Sequence, residues 1–177
     1  MIALIAGTNR PRSTTRLLAE YYATRLRVHG AAAVELVDLA DLPPDFTATA
    51  LYGNTGRNDA FNALAAPVLA AEGLVFVVPE YNYSLPGVLK AFIDGLPYPN
   101  GLRGKTAALV GLSAGAQGGA VALSHLTDIL HYLGCTVLPV QPRLAHVYQH
   151  FATGELTDAR HHQLVEEQVA RLVRLVG

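Results

Sequence analysis

The stretch MIALIAGTNRPRST, residues 1 to 14, decides the fold. Ile2 to Ala6 is an apolar run of the length that forms a buried strand, and a polar loop follows it directly before a helical pattern begins. A buried strand that passes through a short loop into a helix is one βα unit of a parallel sheet. The loop also poses a functional question, because the first N–H groups of a helix have no internal partners and carry partial positive charge. Gly7 lets backbone approach a ligand there. Thr8, Ser13, Thr14 and Thr15 bring hydroxyls, and Arg10 can add a charge-assisted bond to a phosphate oxygen. The plainer reading is that Ser13 only caps the helix and Arg10 is solvated.

Four further apolar runs read as strands: Ala33 to Val37, Leu74 to Val78, Thr106 to Leu112 and Thr136 to Pro139. Helical periodicity fills the intervals. It runs from about Thr14 to His29 with Gly30 as a stop, from Asp59 to Ala71 with Pro67 able to kink or divide it, from Pro86 onward, and from about Ala120 to Leu133. The last pattern, Thr157 to Val176, puts Val165, Val169, Leu172, Val173 and Val176 on one face. The expectation is an α/β fold with a five-stranded parallel sheet and helices on both faces, forming one domain over residues 1–177. Asp38 to Arg57, with Pro43, Pro44, Gly53 and Gly56, reads as a long irregular connection, either functional or merely solvated.

Composition narrows the function. The chain of 177 residues is 51% hydrophobic and 15% charged with a net charge of -1, so it has no basic field to gather nucleic acid or an anionic membrane. Its single cysteine, Cys135, excludes an internal disulfide, and it reads as a core or interface residue. No Cys/His spacing resembles a metal site: His161 and His162 read as solvated, and His125 and His131 do not share a helix face. No apolar stretch reaches the roughly 20 residues that span a bilayer, and no basic leader precedes the first strand. A cytoplasmic location is therefore expected.

In an open parallel sheet, ligands bind beyond the carboxyl ends of the strands, where strand order reverses. Three loops fall there: GTNRPRST (7–14), PEYNYSLPG (79–87) and SAGAQGG (113–119). Two familiar phosphate loops are excluded. The pattern that ends in Gly104, Lys105 and Thr106 has Pro99 at its required first glycine, and no G-x-G-x-x-G follows the first strand. The second loop offers Pro79, Glu80, Tyr81 and Asn82: the asparagine and backbone amides suit the edge of a planar heterocycle, and the tyrosine offers a ring to pack on it. The third loop contains GLSAG (111–115), which also matches the nucleophile elbow of serine hydrolases, with Ser113 as nucleophile, Asp128 or Glu155 as acid and His146 or His150 as base. An elbow passes straight into a helix, whereas Ala116, Gln117, Gly118 and Gly119 intervene here. The alternative use of these glycines is to let backbone lie against a flat ring.

Together the loops resemble the NAD(P)H-dependent FMN reductase family, a flavodoxin-like group that includes quinone, chromate and azo-compound reductases. PEYNYSLPGVLKAFIDGL (79–96) is similar to the family's P-E-Y-N-x-S-x-P-G-x-L-K-x-x-I-D segment. The first loop resembles G-S-x-R-x-x-S, with Thr8 at the first serine and Thr15 where an asparagine often stands. The resemblance covers Ile2 to about Pro142. It implies a flavodoxin-like three-layer sandwich of strand order 2-1-3-4-5 and FMN as cofactor. The FMN phosphate would lie on Thr8, Arg10, Ser13, Thr14 and Thr15. Pro79, Glu80, Tyr81 and Asn82 would wrap its ring, and Ser113, Gly115, Gln117 and Gly118 would approach the ring's other side. Tyr83 would shape the substrate pocket. The implied cycle is ping-pong. NADPH or NADH gives a hydride to FMN N5, and the electrons go on to a quinone, azo, chromate or free-flavin acceptor, with no catalytic side chain required. The resemblance also implies a homodimer or homotetramer. A non-catalytic electron carrier or regulatory protein is the further alternative. Such a carrier needs an acidic docking face, and the chain has 14 acidic against 13 basic side chains.

Overall fold

In the computed structural model, which describes residues 1–151 and 154–177, the apolar runs become neighbours in a parallel sheet. The strands are β1 (Ile2–Ala6), β2 (Val34–Asp38), β3 (Gly73–Pro79), β4 (Thr106–Leu112), β5 (Thr136–Val137) and β6 (Arg143–Leu144). Their order is β2-β1-β3-β4-β5, with β6 also on β4, and every pairing is parallel. The helices are α1 (Thr14–Val28), α2 (Phe46–Thr49), α3 (Asp59–Ala70), α4 (Gly87–Gly95), α5 (Ala120–Tyr132), α6 (Val147–His150) and α7 (Ala159–Val176).

Successive side chains of a strand point to opposite faces, so each central strand feeds two cores. Ile2, Leu4, Val75 and Val77 pack under Leu18 and Tyr22 of α1 and Val169 and Leu172 of α7. Ala3, Ile5, Leu74 and Phe76 pack under Phe61 of α3, Phe92 of α4 and Leu126 of α5. β1 and β3 are buried throughout, which explains why they read as unbroken apolar runs rather than alternating ones.

One expectation changes. The fifth strand is not continuous over Thr136 to Pro139. It splits into β5, on Thr106 and Ala107, and β6, on Gly111 and Leu112, so the sheet has six strands. Pro139 and Pro142 have no N–H to give a ladder, which confines them to such an edge. The gap is closed from outside the sheet. Fully buried Gln168 of α7 donates its amide N–H groups to Leu109 O at 2.8 Å and Val140 O at 2.7 Å, and its oxygen accepts from the Tyr22 hydroxyl at 3.0 Å.

The segment from Asp38 to Arg57 is buried at Leu39, Phe46, Ala50 and Leu51 and then exposed from Tyr52 to Arg57, apart from half-buried Asn54. A 3-10 turn at Leu39–Asp41 buries Leu39, α2 buries Phe46, and Phe46 stacks on Phe61 with ring centroids 5.9 Å apart. Pro67 neither divides nor ends α3, which runs on to Ala70. Below that helix end, the Lys105 ammonium donates to Leu69 O at 2.8 Å and to Ala71 O, and burial lowers its pKa. Cys135 is a core residue: its thiol points at Leu102 O, and burial pushes its pKa up to about 11.

An ion cluster joins α7 to α1. Arg25 makes a two-pronged contact with Glu166 at 2.6 and 2.7 Å, and His29 reaches the same carboxylate at 2.9 Å. The arginine bonds, and to a lesser degree the histidine, hold the Glu166 carboxyl down from 4.5 to about 2. A carboxylate whose pKa is depressed by folding stabilises the fold above its unfolded pKa and loses that contribution as pH falls through its folded pKa. Melting temperatures should therefore fall for the wild type between pH 4.5 and 2. Glu166→Gln should melt lower at pH 6 and fall less steeply through the acid window. Parallel curves for the two proteins would show that the cluster does not carry this term.

Candidate functional site

The carboxyl ends of β1, β3 and β4 open on a cavity of about 590 Å³, a volume within the range of small-molecule sites. Strand order reverses at β1 and β3, so the cavity sits at the switch point of the sheet. One side is the first loop and the start of α1. Ser13 caps that helix by accepting the Arg16 N–H at 3.1 Å, so the plainer reading of Ser13 holds as far as its oxygen goes. Among the described residues, the N–H groups of Thr14 and Thr15 have no acceptor, and both residues line the cavity. Arg10 and Arg12 line it too, and among the described residues neither is in an ion pair, whereas Arg16 is held by Glu20 and Asp38. Arg12 has φ +50°, a conformation that a glycine would adopt without strain.

The opposite wall is Pro79, Glu80 and Tyr81 at the end of β3, with Leu112, Ser113 and Ala114 at the end of β4. These two loops are stapled together. Glu80 N–H donates to Leu112 O at 3.0 Å, and the Glu80 carboxylate accepts the Gly119 N–H at 3.1 Å. Asn82 and Tyr83 form the turn at the tip, at φ +49° and +65°, where the Tyr81 and Ser84 backbones bond to each other. Val147 and Tyr148 of α6 close the remaining side. They are placed there because Ser113 O accepts the Val147 N–H at 3.0 Å and Gly115 O accepts the His146 N–H at 2.9 Å. Sequence gives little hint of them beyond an exposed aromatic after a proline-rich stretch.

Of the residues singled out from the sequence, Arg10, Ser13, Thr14, Thr15, Pro79, Glu80, Tyr81 and Ser113 meet around this one cavity. Thr8 lies beneath it, fully buried. Asn82, Tyr83, Gly115 and Gln117 are exposed outside its lining. Gly118 is buried, and a Cβ there would lie 2.8 Å from the backbone carbon of Arg143, so its smallness serves the contact with β6. Gly7 is similar: a Cβ would lie 2.8 Å from Val77 O, so its smallness serves strand packing.

The hydrolase constellation is not assembled. The Ser113 hydroxyl donates to Gly115 O at 3.0 Å and accepts the Gly118 N–H at 2.9 Å, and among the described residues no histidine side chain bonds to it. Asp128 lines a separate depression between α4 and α5, and Glu155 lies beside Tyr21 and Arg25 of α1.

What the site offers is an anion corner at the start of α1, two guanidinium groups that are in no ion pair among the described residues, and a facing wall built from the ends of β3 and β4 with the Tyr81 ring. That set suits a phosphate joined to a planar ring. The class this architecture defines is the flavodoxin-like sandwich. Over residues 1–149 the chain matches the family model described as NADPH-dependent FMN reductase, and it belongs to that family. It is 35% identical over 149 residues to a 2-hydroxy-1,4-benzoquinone reductase of Burkholderia sp., covering 81% of this chain and 76% of that one. It is 33% identical over 148 residues to an NAD(P)H-dependent FMN reductase of Pseudomonas aeruginosa, covering 79% and 76%. Among solved structures, the apo form of the NADH:FMN oxidoreductase EMOB superposes with a TM-score of 0.83 at 24% identity, covering 99% of this chain and 89% of that one. That likeness supports the fold.

Proposed function

We propose that this chain is an FMN-dependent NAD(P)H oxidoreductase that passes electrons to a small-molecule acceptor of the quinone class. The observation that carries the reading is that helix amides at Thr14 and Thr15, unpartnered among the described residues, and a wall from the ends of β3 and β4 meet around one cavity. In it, the Thr14 and Thr15 amides and the Arg10 guanidinium would hold the phosphate of FMN, and the Ser13 oxygen keeps the helix end in place by accepting the Arg16 N–H. Pro79 to Tyr81 and Ser113 to Ala114 would face the ring from the wall opposite α1. FMN, when bound, supplies the hydride chemistry. The protein's part is to orient, to exclude water and to aim backbone dipoles where negative charge develops. Glu80 acts as a loop staple, since its carboxylate is engaged by the Gly119 N–H.

Both the nicotinamide donor and the acceptor would use the same opening in turn. Initial rates measured over a grid of NADPH or NADH and quinone concentrations should give parallel double-reciprocal lines. Intersecting lines would mean that both are bound together and would overturn the shared opening. Azo compounds, chromate and free flavin belong to the same proposal as further acceptors, and the whole described chain is taken as one flavin-binding domain.

Two further parts of the proposal rest on other observations. An apolar depression of about 540 Å³ between α4, α5 and the turn at Pro97 exposes Tyr52, Tyr98 and Tyr132, with Lys90, Asp94 and Asp128 on its rim. Apolar surface carrying both charge signs suits a self-complementary contact, and we assign it to a homodimer or homotetramer. A single-chain mass in sedimentation at micromolar concentration would sink that assignment. No helix among the described residues is long and apolar enough to cross a membrane. A cytoplasmic location is proposed from the free, buried Cys135.

A further inference from the structure

Thr8 looks in sequence like a phosphate ligand, yet its side chain is fully buried and absent from the cavity lining. Its oxygen already has two partners inside the protein. The Arg10 N–H donates to Thr8 Oγ1 at 3.2 Å, and the Tyr81 hydroxyl lies 2.7 Å from the same oxygen. Tyr81 belongs to the wall loop, 73 residues away in the chain. Its own backbone is fixed at Ser84 by two bonds, Tyr81 N–H to Ser84 O at 2.9 Å and Ser84 N–H to Tyr81 O at 3.1 Å, and its neighbour Glu80 is fixed to the third loop. One hydroxyl pair thus joins a well-anchored loop to one whose backbone has few bonds of its own. Between Thr8 and Ser13 the described backbone bonds are Thr8 N–H to Ala6 O and the contacts that start the helix at Ser13 O.

We propose that Thr8 and Tyr81 are positioning residues: their hydroxyl pair sets the path of residues 8 to 10 and so places Arg10 for the phosphate end of the ligand. The inference rests on the flavin reading of the cavity. In this arrangement Tyr81 does more than flank the ring. It carries the rigidity of the wall loop across the cavity floor to the phosphate corner, where a loop free to wander would lose a charge-assisted contact.

FMN and riboflavin differ only in the phosphate, so the comparison of the two isolates this effect. Flavin-free full-length protein would be titrated with each, following flavin fluorescence, for the wild type, Tyr81→Phe, Thr8→Val, Thr8→Ser and the double variant Thr8→Val/Tyr81→Phe. Expected for Tyr81→Phe and Thr8→Val is a loss of FMN affinity of about tenfold, with riboflavin affinity changed by less than about twofold. Thr8→Ser keeps the hydroxyl and should keep the FMN preference, and the double variant should be no weaker than either single one. Parallel weakening for both flavins would show that Tyr81 acts on the ring alone and would overturn the proposal. Unchanged FMN affinity in Tyr81→Phe, or additive losses in the double variant, would overturn it too. Tyr81 is 37% exposed, so its phenylalanine variant tests the idea even if the buried Thr8→Val change prevents folding. A wild type that binds neither flavin would instead sink the flavin reading itself.

Discussion

Gly111→Ala should destabilise the protein by about 3 kcal/mol and weaken the site with it. A Cβ on Gly111 would sit 2.3 Å from Gly118 O, 3.2 Å from Leu123 Cγ and 3.3 Å from Gly119 Cα. Two of these three contacts are backbone, which cannot rotate away, and Leu123 is buried. The third loop would have to lift off β4. Gly118 N–H and Gly119 N–H are the donors to Ser113 Oγ and Glu80 Oε2, so the same movement loosens both sides of the wall. For a domain of this size the expected fall in Tm is about 6–12 °C. Gly53→Ala is the comparison, because nothing lies within 4 Å of a Cβ there and its φ is not in the left-handed range. Urea unfolding of the two variants decides the matter: equal midpoints would mean that the close approach of loop and strand is not needed.

Gln168→Leu should cost about 3–5 kcal/mol. Leucine fills a similar volume but leaves Leu109 O, Val140 O and the Tyr22 hydroxyl without the partner that now satisfies them. The bonds to Leu109 O and the Tyr22 hydroxyl are buried with the Gln168 side chain, and the bond to Val140 O is partly so. The two carbonyls matter most, since they mark where the edge strand is interrupted. Tyr22→Phe removes one member of the network and should lower the further cost of Gln168→Leu, so the double variant should be more stable than the summed losses imply. A loss under about 1 kcal/mol for Gln168→Leu would show that the split edge tolerates open carbonyls.

These two residues also show where sequence reading stops. β1 and β4 are legible to the residue, because buried parallel strands read as apolar runs bounded by glycine and helix signals. The split of the fifth strand is not legible. Its prolines are visible, but the group that makes the split tolerable is a glutamine on a helix whose pattern only marks it as one more polar position. The loops behave in the same way. Their glycines and hydroxyls are visibly unusual, and the sequence places them at one end of the sheet. Which neighbour each one serves is a tertiary matter: Gly7 makes room for β3, Gly118 for the backbone at Arg143, and Thr8 faces Tyr81. Val147 and Tyr148 reach the cavity through backbone bonds to Ser113 and Gly115 that no local pattern announces.

The most direct test is a titration of the purified protein with FMN, followed by anaerobic addition of NADPH or NADH while the yellow absorbance is recorded. Saturable binding of one FMN per chain, then bleaching by a nicotinamide donor and recovery when a quinone is added, is the expected result. Binding without bleaching by either donor would contradict the reductase, and no binding at all would contradict the phosphate corner at Thr14 and Thr15 from which the function is read.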